Sequence, residues 1–252
     1  LADQKRVRDR FAGDWVAFDF ANWKRNFVGR FLGTEASVSW SSSQQTPSQS
    51  KWLVWASKLT PELVERSRIE EAELWRVEDG FIRSAGLGVD LIEPLSLVID
   101  SCGIYYDATG PSDLENLLNE ADILSDLCER ANRLRQRLVE QKLSKYNVGV
   151  EGKLPLPSNR KVILVPGQVE TDASIRTGAL ELRTNLELLK AVREAEPEAF
   201  IIYKPHPDVL SGARVGDLEG ADYFDLEVRD IAMPDLLEQV DDHRRLKKGE
   251  NR

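Results

Sequence analysis

Polar and apolar positions alternate along this chain in two rhythms. Lys51-Trp52-Leu53-Val54-Trp55, Leu74-Trp75-Arg76-Val77, Val162-Ile163-Leu164-Val165 and Phe200-Ile201-Ile202-Tyr203 are short apolar runs bounded by polar or turn-forming residues. Runs of that length read as buried strands rather than helices. Between the members of each pair lies a stretch with apolar residues at threes and fours. Strand, helix, strand therefore occurs over 51–78 and again over 161–203, and that order predicts an α/β fold with parallel sheets.

Helix boundaries carry their own signals. Thr60-Pro61-Glu62 predicts a helix start with proline in its first turn, running to about Glu71. Ser112 and Glu115 form a capping-box pattern. Leu114, Leu117, Leu118, Ala121, Leu124, Leu127, Ala131, Leu134 and Leu138 then make one apolar stripe, which predicts a single long helix over 112–142 with Cys128 as a buried thiol. Thr184 to Ala195 reads as a helix with Leu186, Leu189 and Val192 turned inward. Near the start, Asp14 to Phe20 reads as a strand and Trp23 to Leu32 as a helix carrying Lys24, Arg25 and Arg30. The aromatic residues of that region serve mostly as core. Ser41 to Ser50 is a polar loop, and Pro94–Asp100 with Gly103–Asp107 reads as a hairpin.

These elements predict a first domain over 1–150, a linker at 151–160 marked by Pro155 and Pro157, and an α/β domain over 161–241. The latter has room for at most three strands. From residue 242 onward, Asp242-His243-Arg244-Arg245-Leu246-Lys247-Lys248 offers no core positions and reads as an unstructured tail.

Charge narrows the function. The chain has 252 residues, 34 basic and 43 acidic side chains and a net charge of −9. That balance argues against a nucleic-acid surface built on general positive charge, yet allows a local basic pocket for an anionic ligand. No apolar run approaches the roughly 18 residues of a membrane span, and no signal peptide is seen. The two cysteines fall in no metal or redox spacing. A cytoplasmic protein is the expectation.

Candidate chemistry collects at strand ends. Trp75-Arg76-Val77-Glu78-Asp79-Gly80 places two adjacent carboxylates at the close of a strand, the edge where α/β folds bind ligands. Gly80 reads as permitting a turn there. The next glycines, Gly86 and Gly88, suggest a loop lying close to another backbone or a ligand, without the spacing of a dinucleotide fingerprint. Val162–Val165 is stopped by Pro166-Gly167 and followed by an acidic, hydroxyl-rich loop, Gln168 to Ser174. The strand at Phe200 runs into Lys204-Pro205-His206-Pro207-Asp208. From the residues alone, Glu78-Asp79-Gly80 is a polar turn or a site, and His206 is structural or reactive.

The motifs together resemble the capsule polysaccharide biosynthesis protein family. The resemblance rests on Val77-Glu78-Asp79-Gly80-Phe81-Ile82-Arg83-Ser84, Gly86-Leu87-Gly88, Pro94-Leu95-Ser96-Leu97-Val98 and Gly103-Ile104-Tyr105-Tyr106-Asp107-Ala108-Thr109. It continues in Val165-Pro166-Gly167-Gln168-Val169-Glu170, Asp172-Ala173-Ser174-Ile175, Arg183-Thr184-Asn185 and Tyr203-Lys204-Pro205-His206-Pro207-Asp208-Val209, covering roughly 50–240.

The resemblance implies a GT-B-like pair of Rossmann-type domains, the second incomplete. It implies a retaining β-Kdo glycosyltransferase that uses CMP-Kdo with no metal and no cofactor. The acceptor would be a Kdo-lysophosphatidylglycerol, extended as the linker of a capsular polysaccharide. Capsule-assembly proteins would be partners at the inner face of the inner membrane, where the protein would sit peripherally. Likeness to the family's C-terminal module, including Trp23-Lys24, implies β-(2→7) transfer, with β-(2→4) as the alternative. By the family pattern Asp172 is the nucleophile, Glu78 the acid/base and Asp79 its support, while His206 and Lys204 meet the anionic donor. Gln168, Ser174 and Arg83 are further pocket residues. After Val240 the chain departs from the family pattern, so weak CMP binding and slow or no turnover are expected. A non-catalytic module that binds the lipid-linked acceptor or an assembly partner is the reading from another class. A hydrolase using the same acids finds no supporting metal-ligand cluster.

Overall fold

The structure is a computed structural model, and it describes residues 9–41, 50–120, 122–212, 214–216, 218, 226–228 and 231–248. It divides into two units. The first comprises 1–84 and 91–122, the second 85–90 and 123–252. The stretch 123–160, assigned from sequence to the first domain and a linker, thus sits with the second unit.

The first unit is a five-stranded sheet in the order β2-β1-β3-β4-β5. Strands β1 (Gly13–Phe18), β2 (Ala36–Ser41), β3 (Lys51–Trp55) and β4 (Glu73–Asp79) are mutually parallel, and β5 (Leu97–Asp100) runs antiparallel to β4. Strand β2 carries no strong apolar run, only alternation around Val38 and Trp40, and escaped the sequence reading. Helix α1 (Asn22–Leu32) follows β1 and buries Phe27, Val28 and Leu32. Helix α2 (Pro61–Ile69) starts as expected, with Thr60 Oγ1 accepting from the Leu63 amide and proline in the first turn. A core of Trp15, Phe20, Phe27, Leu53, Trp55, Trp75 and Val77 lies on one face of the sheet, and Val16, Phe18 and Trp52 form a smaller cluster. Strands flanked by parallel neighbours are buried on both faces, which is why β3 reads as an unbroken apolar run.

The expected hairpin is only half present. β5 pairs with β4, so that Glu78 faces Val98 and Asp79 faces Leu97. Residues 103–107 form turns instead. Asp100 explains the change: its buried carboxylate accepts from the amides of Cys102, Gly103 and Asp113 and folds the chain back on itself. Gly80 also has a different reason from the one predicted. Its backbone is not in the left-handed region. It is glycine because a Cβ there would collide with Ser96 as the Gly80 amide extends the β4–β5 ladder to the Ser96 carbonyl, 2.9 Å away.

The long helix predicted over 112–142 is two helices, α3 (Asp113–Glu120) and α4 (Ser125–Glu140). Leu124, extended at ψ 145°, starts the second. Asp122, Ser125 and Asp126 carry short polar side chains that favour helix starts over helix interiors, and a hydropathy stripe runs unbroken across such a junction. Cys128 is exposed rather than buried. Periodicity identifies an apolar face without saying what covers it.

The second unit has a three-stranded parallel sheet, β6 (Val162–Pro166), β7 (Phe200–Lys204) and β8 (Leu226–Val228), in the order β6-β7-β8. Helices α5 (Ala173–Gly178) and α6 (Asn185–Ala195) lie between β6 and β7, and α7 (Pro207–Leu210) follows β7. Leu189 packs with Val165, Ile201 and Tyr203, with Val192 at the margin. The last helix, α8 (Met233–Lys248), runs through the segment read as an unstructured tail. Leu236 anchors it with Ile202 and Ile231, while Leu154 and Leu156 pack on the same cluster. The Gln239 amide donates to the Gly152 carbonyl and accepts from the Leu154 amide. Asp241 pairs with Arg244 and Arg245 one turn on, and the His243 ring meets the Arg160 carbonyl. Helical spacing of opposite charges supports a helix that composition alone reads as disordered.

Candidate active site

In the first unit, chemistry gathers at the C-terminal ends of the parallel strands. β4 closes on Glu78 and Asp79, both half-buried. Asp79 is tied down: Arg83 Nε donates to its Oδ2 at 2.7 Å, and Arg83 Nη1 donates to Ser84 Oγ at 2.7 Å. The Arg83 side chain is 2% exposed. A guanidinium removed from water in this way needs its carboxylate partner, so this is a fixed structural pair. Asp79 Oδ1 is sealed from solvent and has no hydrogen-bond partner among the described residues. Glu78 differs. It accepts from the Asp79 amide and, at 3.4 Å, from the Tyr106 hydroxyl. Tyr106 stands edge-on to Tyr105, which packs against Phe81, making an aromatic border beside the acid.

One cation in this region, Lys24, reads from the residues as helix surface and from the family resemblance as part of the Trp23-Lys24 segment, with no role at the acids. Lys24 lies in the first turn of α1, just after β1 ends, and its Nζ sits 3.2 Å from the centroid of the Trp55 ring. Burial lowers its pKa from the ordinary lysine value, while the charges of Asp79 and Glu78 oppose that shift. The fold brings together what 54 intervening positions of sequence hide.

In the second unit the same edge is built by different means. Gly167 follows β6, and a Cβ there would collide with the Tyr203 side chain. The loop that follows is sewn to Asn185, which is buried at the start of α6. Asn185 Oδ1 accepts from the Gln168 amide at 2.8 Å, and its Nδ2 donates to the Gln168 and Gly216 carbonyls at 2.9 and 3.1 Å. Glu170 accepts from the Asn185 backbone amide at 2.8 Å. Thr184 and Glu187 complete a capping box on the same helix. Asp172 leaves this fixed loop as the N-cap of α5, accepting from the Ser174 amide at 3.4 Å. The Gln168 side chain is exposed and Ser174 half-buried.

His206 caps α7. Its Nδ1 accepts from the Asp208 amide at 3.1 Å, which leaves Nε2 to carry the proton of the neutral ring. Burial lowers its pKa below the ordinary value; Asp208 and Asp172 pull it up, Lys145 and Arg214 push it down. Tyr146 stands edge-on, its ring centroid 6.1 Å away, and the Tyr146 carbonyl accepts from the Gly86 amide at 2.8 Å. The glycine-rich loop thus does approach another backbone closely. Lys204, the last residue of β7, is buried. The structure therefore brings Glu78, Asp79 and Arg83 together in one unit, and Asp172, Gln168, Ser174, Lys204 and His206 along one sheet edge in the other. Among the described residues no three His, Cys, Asp or Glu side chains are grouped as metal ligands.

Comparison with known proteins matches this arrangement to one family. The model for capsule polysaccharide biosynthesis proteins matches residues 53–151 and 131–243. The chain belongs to the capsule polysaccharide biosynthesis protein family. Curated members of similar sequence include the capsule polysaccharide modification protein LipA of Neisseria meningitidis serogroup A, 38% identical over 96% of this chain and 36% of LipA. The lipopolysaccharide-processing protein LpsZ of Rhizobium meliloti is 39% identical over 79% of this chain and 48% of LpsZ. The chain thus spans between a third and a half of these relatives' lengths. Among solved structures, the β-Kdo 2,4 transferase of Thermosulfurimonas dismutans KpsC is similar at TM-score 0.72 and 30% identity, over 89% of this chain and 72% of that one. The β-Kdo 2,7 transferase of the same KpsC is similar at TM-score 0.64 and 37% identity, over 86% and 66%. The α/β class and the parallel-rich sheets predicted from sequence are those of these family members.

Proposed function

We propose that this chain is a retaining β-Kdo transferase module that moves Kdo from CMP-Kdo to a Kdo-terminated, lipid-linked acceptor. It would act with capsule-assembly proteins at the inner face of the inner membrane. The observation that carries the mechanism is the unequal treatment of the acids. Asp79 is locked to Arg83, whereas Glu78 meets a tyrosine hydroxyl, and Asp172 stands on a rigid loop on the same sheet edge as His206.

In the first step an Asp172 carboxylate oxygen attacks the anomeric carbon, its bond to the phosphate oxygen breaks, and CMP leaves as the anion. Lys204 and His206 meet the donor's carboxylate and phosphate, with Gln168 and Ser174 beside them. In the second step the acceptor hydroxyl gives its proton to Glu78 and attacks the same carbon, releasing Asp172. Two inversions give net retention.

The two similarities point to different linkages: backbone likeness favours the 2,4 transferase and sequence identity the 2,7 transferase. Regiochemistry is decided by side chains in contact with the acceptor, so identity carries more weight, and the linkage proposed is β-(2→7).

Intact mass after incubation with CMP-Kdo tests the reading. The wild-type protein is expected to carry one added Kdo, and Asp172→Ala none. Glu78→Gln is expected to retain the adduct in the presence of acceptor, with transfer slowed by about 10²-fold or more, the usual scale for a lost general base. An adduct that survives Asp172→Ala would refute the assigned nucleophile.

A further inference from the structure

Lys24 has no place in the mechanism above, yet it breaks two local rules. It sits in the first turn of α1, where the helix dipole disfavours a cation, and no acidic residue accompanies it there. Its side chain is half-buried, with the ammonium over the Trp55 ring and 5.6 Å from the Trp23 ring centroid, and it has no hydrogen bond or ion pair among the described residues. A cation–π contact accepts one side of an ammonium and leaves donors over. Breaking local preference without a structural return is a mark of a functional position.

The charges around it define what those donors can take. Glu78 and Asp79 contribute two negative charges, and Lys24, Arg83 and the exposed Lys58 three positive ones. Arg83 pairs with Asp79 through Nε and donates to Ser84 through Nη1, so its charge is already engaged. Lys24 has no such ion pair among the described residues, and it feels both carboxylates. A ligand anion arriving at Lys24 therefore meets a cluster that is net positive rather than acidic. A neutral sugar would leave the partly desolvated ammonium poorly matched; a carboxylate would pair with it.

We propose that Lys24 is the acceptor-recognition residue of the first unit, binding the carboxylate of an acidic-sugar acceptor so that one of that sugar's hydroxyls is delivered to Glu78. The assignment deepens the transferase reading and rests on it for the identity of the acceptor. Kdo is an ulosonic acid, so each acceptor unit of a Kdo chain carries the carboxylate such a site needs. The Trp55 and Trp23 rings lie against the ammonium itself, which fixes it in position and limits the freedom lost on binding.

The test uses the methyl glycoside of Kdo and its carboxyl methyl ester as paired probes, with binding followed by calorimetry. Wild-type protein is expected to prefer the carboxylate by about tenfold or more, as for a charge-assisted contact. Lys24→Met, which keeps an apolar stem on Trp55, is expected to bind both probes alike; Lys24→Arg should keep part of the preference. In transfer assays Lys24→Met should raise the KM for acceptor by about tenfold and change kcat less. Equal binding of the two probes by wild-type protein would overturn the proposal, with no variant needed, and so would a preference that survives in Lys24→Met. A Lys24-dependent preference in a protein that never forms a Kdo adduct would instead refute the transferase mechanism and leave the acidic-sugar site standing.

Discussion

The two sheets hold their chemical residues at equivalent edges but by opposite means. In the first unit the acid at the end of β4 is held by charge: Asp79 sits against a guanidinium that is almost wholly buried. In the second, Asp172 is held by backbone: its loop is stitched to Asn185, and among the described residues the carboxylate's hydrogen bonding is one long capping contact. A carboxylate fixed by an ion pair is poorly suited to attack carbon, because its charge is already engaged. One fixed through its loop keeps its charge for the substrate. The contrast supports, on physical grounds, the proposal that Asp79 is the supporting acid and Asp172 the one that does chemistry.

The comparison breaks first at Arg83. Arg83→Met leaves the half-buried Asp79 carboxylate without its counter-charge, and loss of one member of such a pair costs about 3 kcal/mol or more. Asp172→Ala removes only a weak cap, worth about 1 kcal/mol. All six tryptophans lie in the first unit, so urea unfolding followed by tryptophan fluorescence reads that unit. Arg83→Met should shift its midpoint strongly, and Asp172→Ala, followed by amide exchange in the second unit, should shift that unit's stability little while abolishing the Kdo adduct. Equal shifts from the two substitutions would remove the distinction between a structural acid and a chemical one.

Asn185 sharpens the other side. Asn185→Ala strands an amide and two carbonyls that the side chain now satisfies. Unpaired buried groups each cost on the order of 1 kcal/mol, and partial relaxation brings the expected total to about 2 kcal/mol. The loss should be local: amide exchange at Gln168 and Asp172 should accelerate while the β4–β5 amides stay protected. If Asn185 positions the nucleophile, adduct formation should slow more than the KM for acceptor rises. A variant that exchanges like wild type and keeps its rate of adduct formation would show that the loop holds itself.

Much of this arrangement was legible in the residues, and the rest fails for identifiable reasons. Strands β3 and β7 stood out because burial on both faces makes their apolar runs continuous, and β4 and β6 because short apolar runs end at polar or turn-forming residues. Thr60 and Thr184 marked helix starts because capping is local chemistry. What distance in sequence separates was invisible. Lys24 reads as helix surface until β1 and β3 pair and bring Trp55 beneath it. Asn185 lies 17 positions from the Gln168 amide that it satisfies. The break between α3 and α4 was hidden because an apolar stripe continues through it, and the helix at 242–248 was hidden because its support is charge pairing along one face. Glu78 and Asp79 were readable as a pair; their difference in role depends on Arg83 folding back onto only one of them.

The smallest expected effect concerns His206, and its sign follows from geometry. The ring caps α7 through an unprotonated Nδ1, and burial holds its pKa below 6.5 against the pull of Asp208 and Asp172. The unfolded chain, with an ordinary histidine, then binds more protons than the folded one at and below pH 6.5. Stability from this residue is fully present above that pH and is lost as pH falls through the depressed folded value. Protonation also places a hydrogen on the nitrogen that accepts from Asp208, so the cap and the charge state fail together. His206→Asn keeps a capping oxygen and removes the titration. Amide exchange at Asp208 to Leu210, compared between pH 7.5 and pH 5.5, should quicken in wild type and change less in the variant, after correction for intrinsic rates. Equal pH dependence in both would mean that the ring keeps one protonation state between the two pH values and does not loosen the cap. The second unit would then hold its histidine through packing and the capping bond alone, and any acid sensitivity there would come from another group.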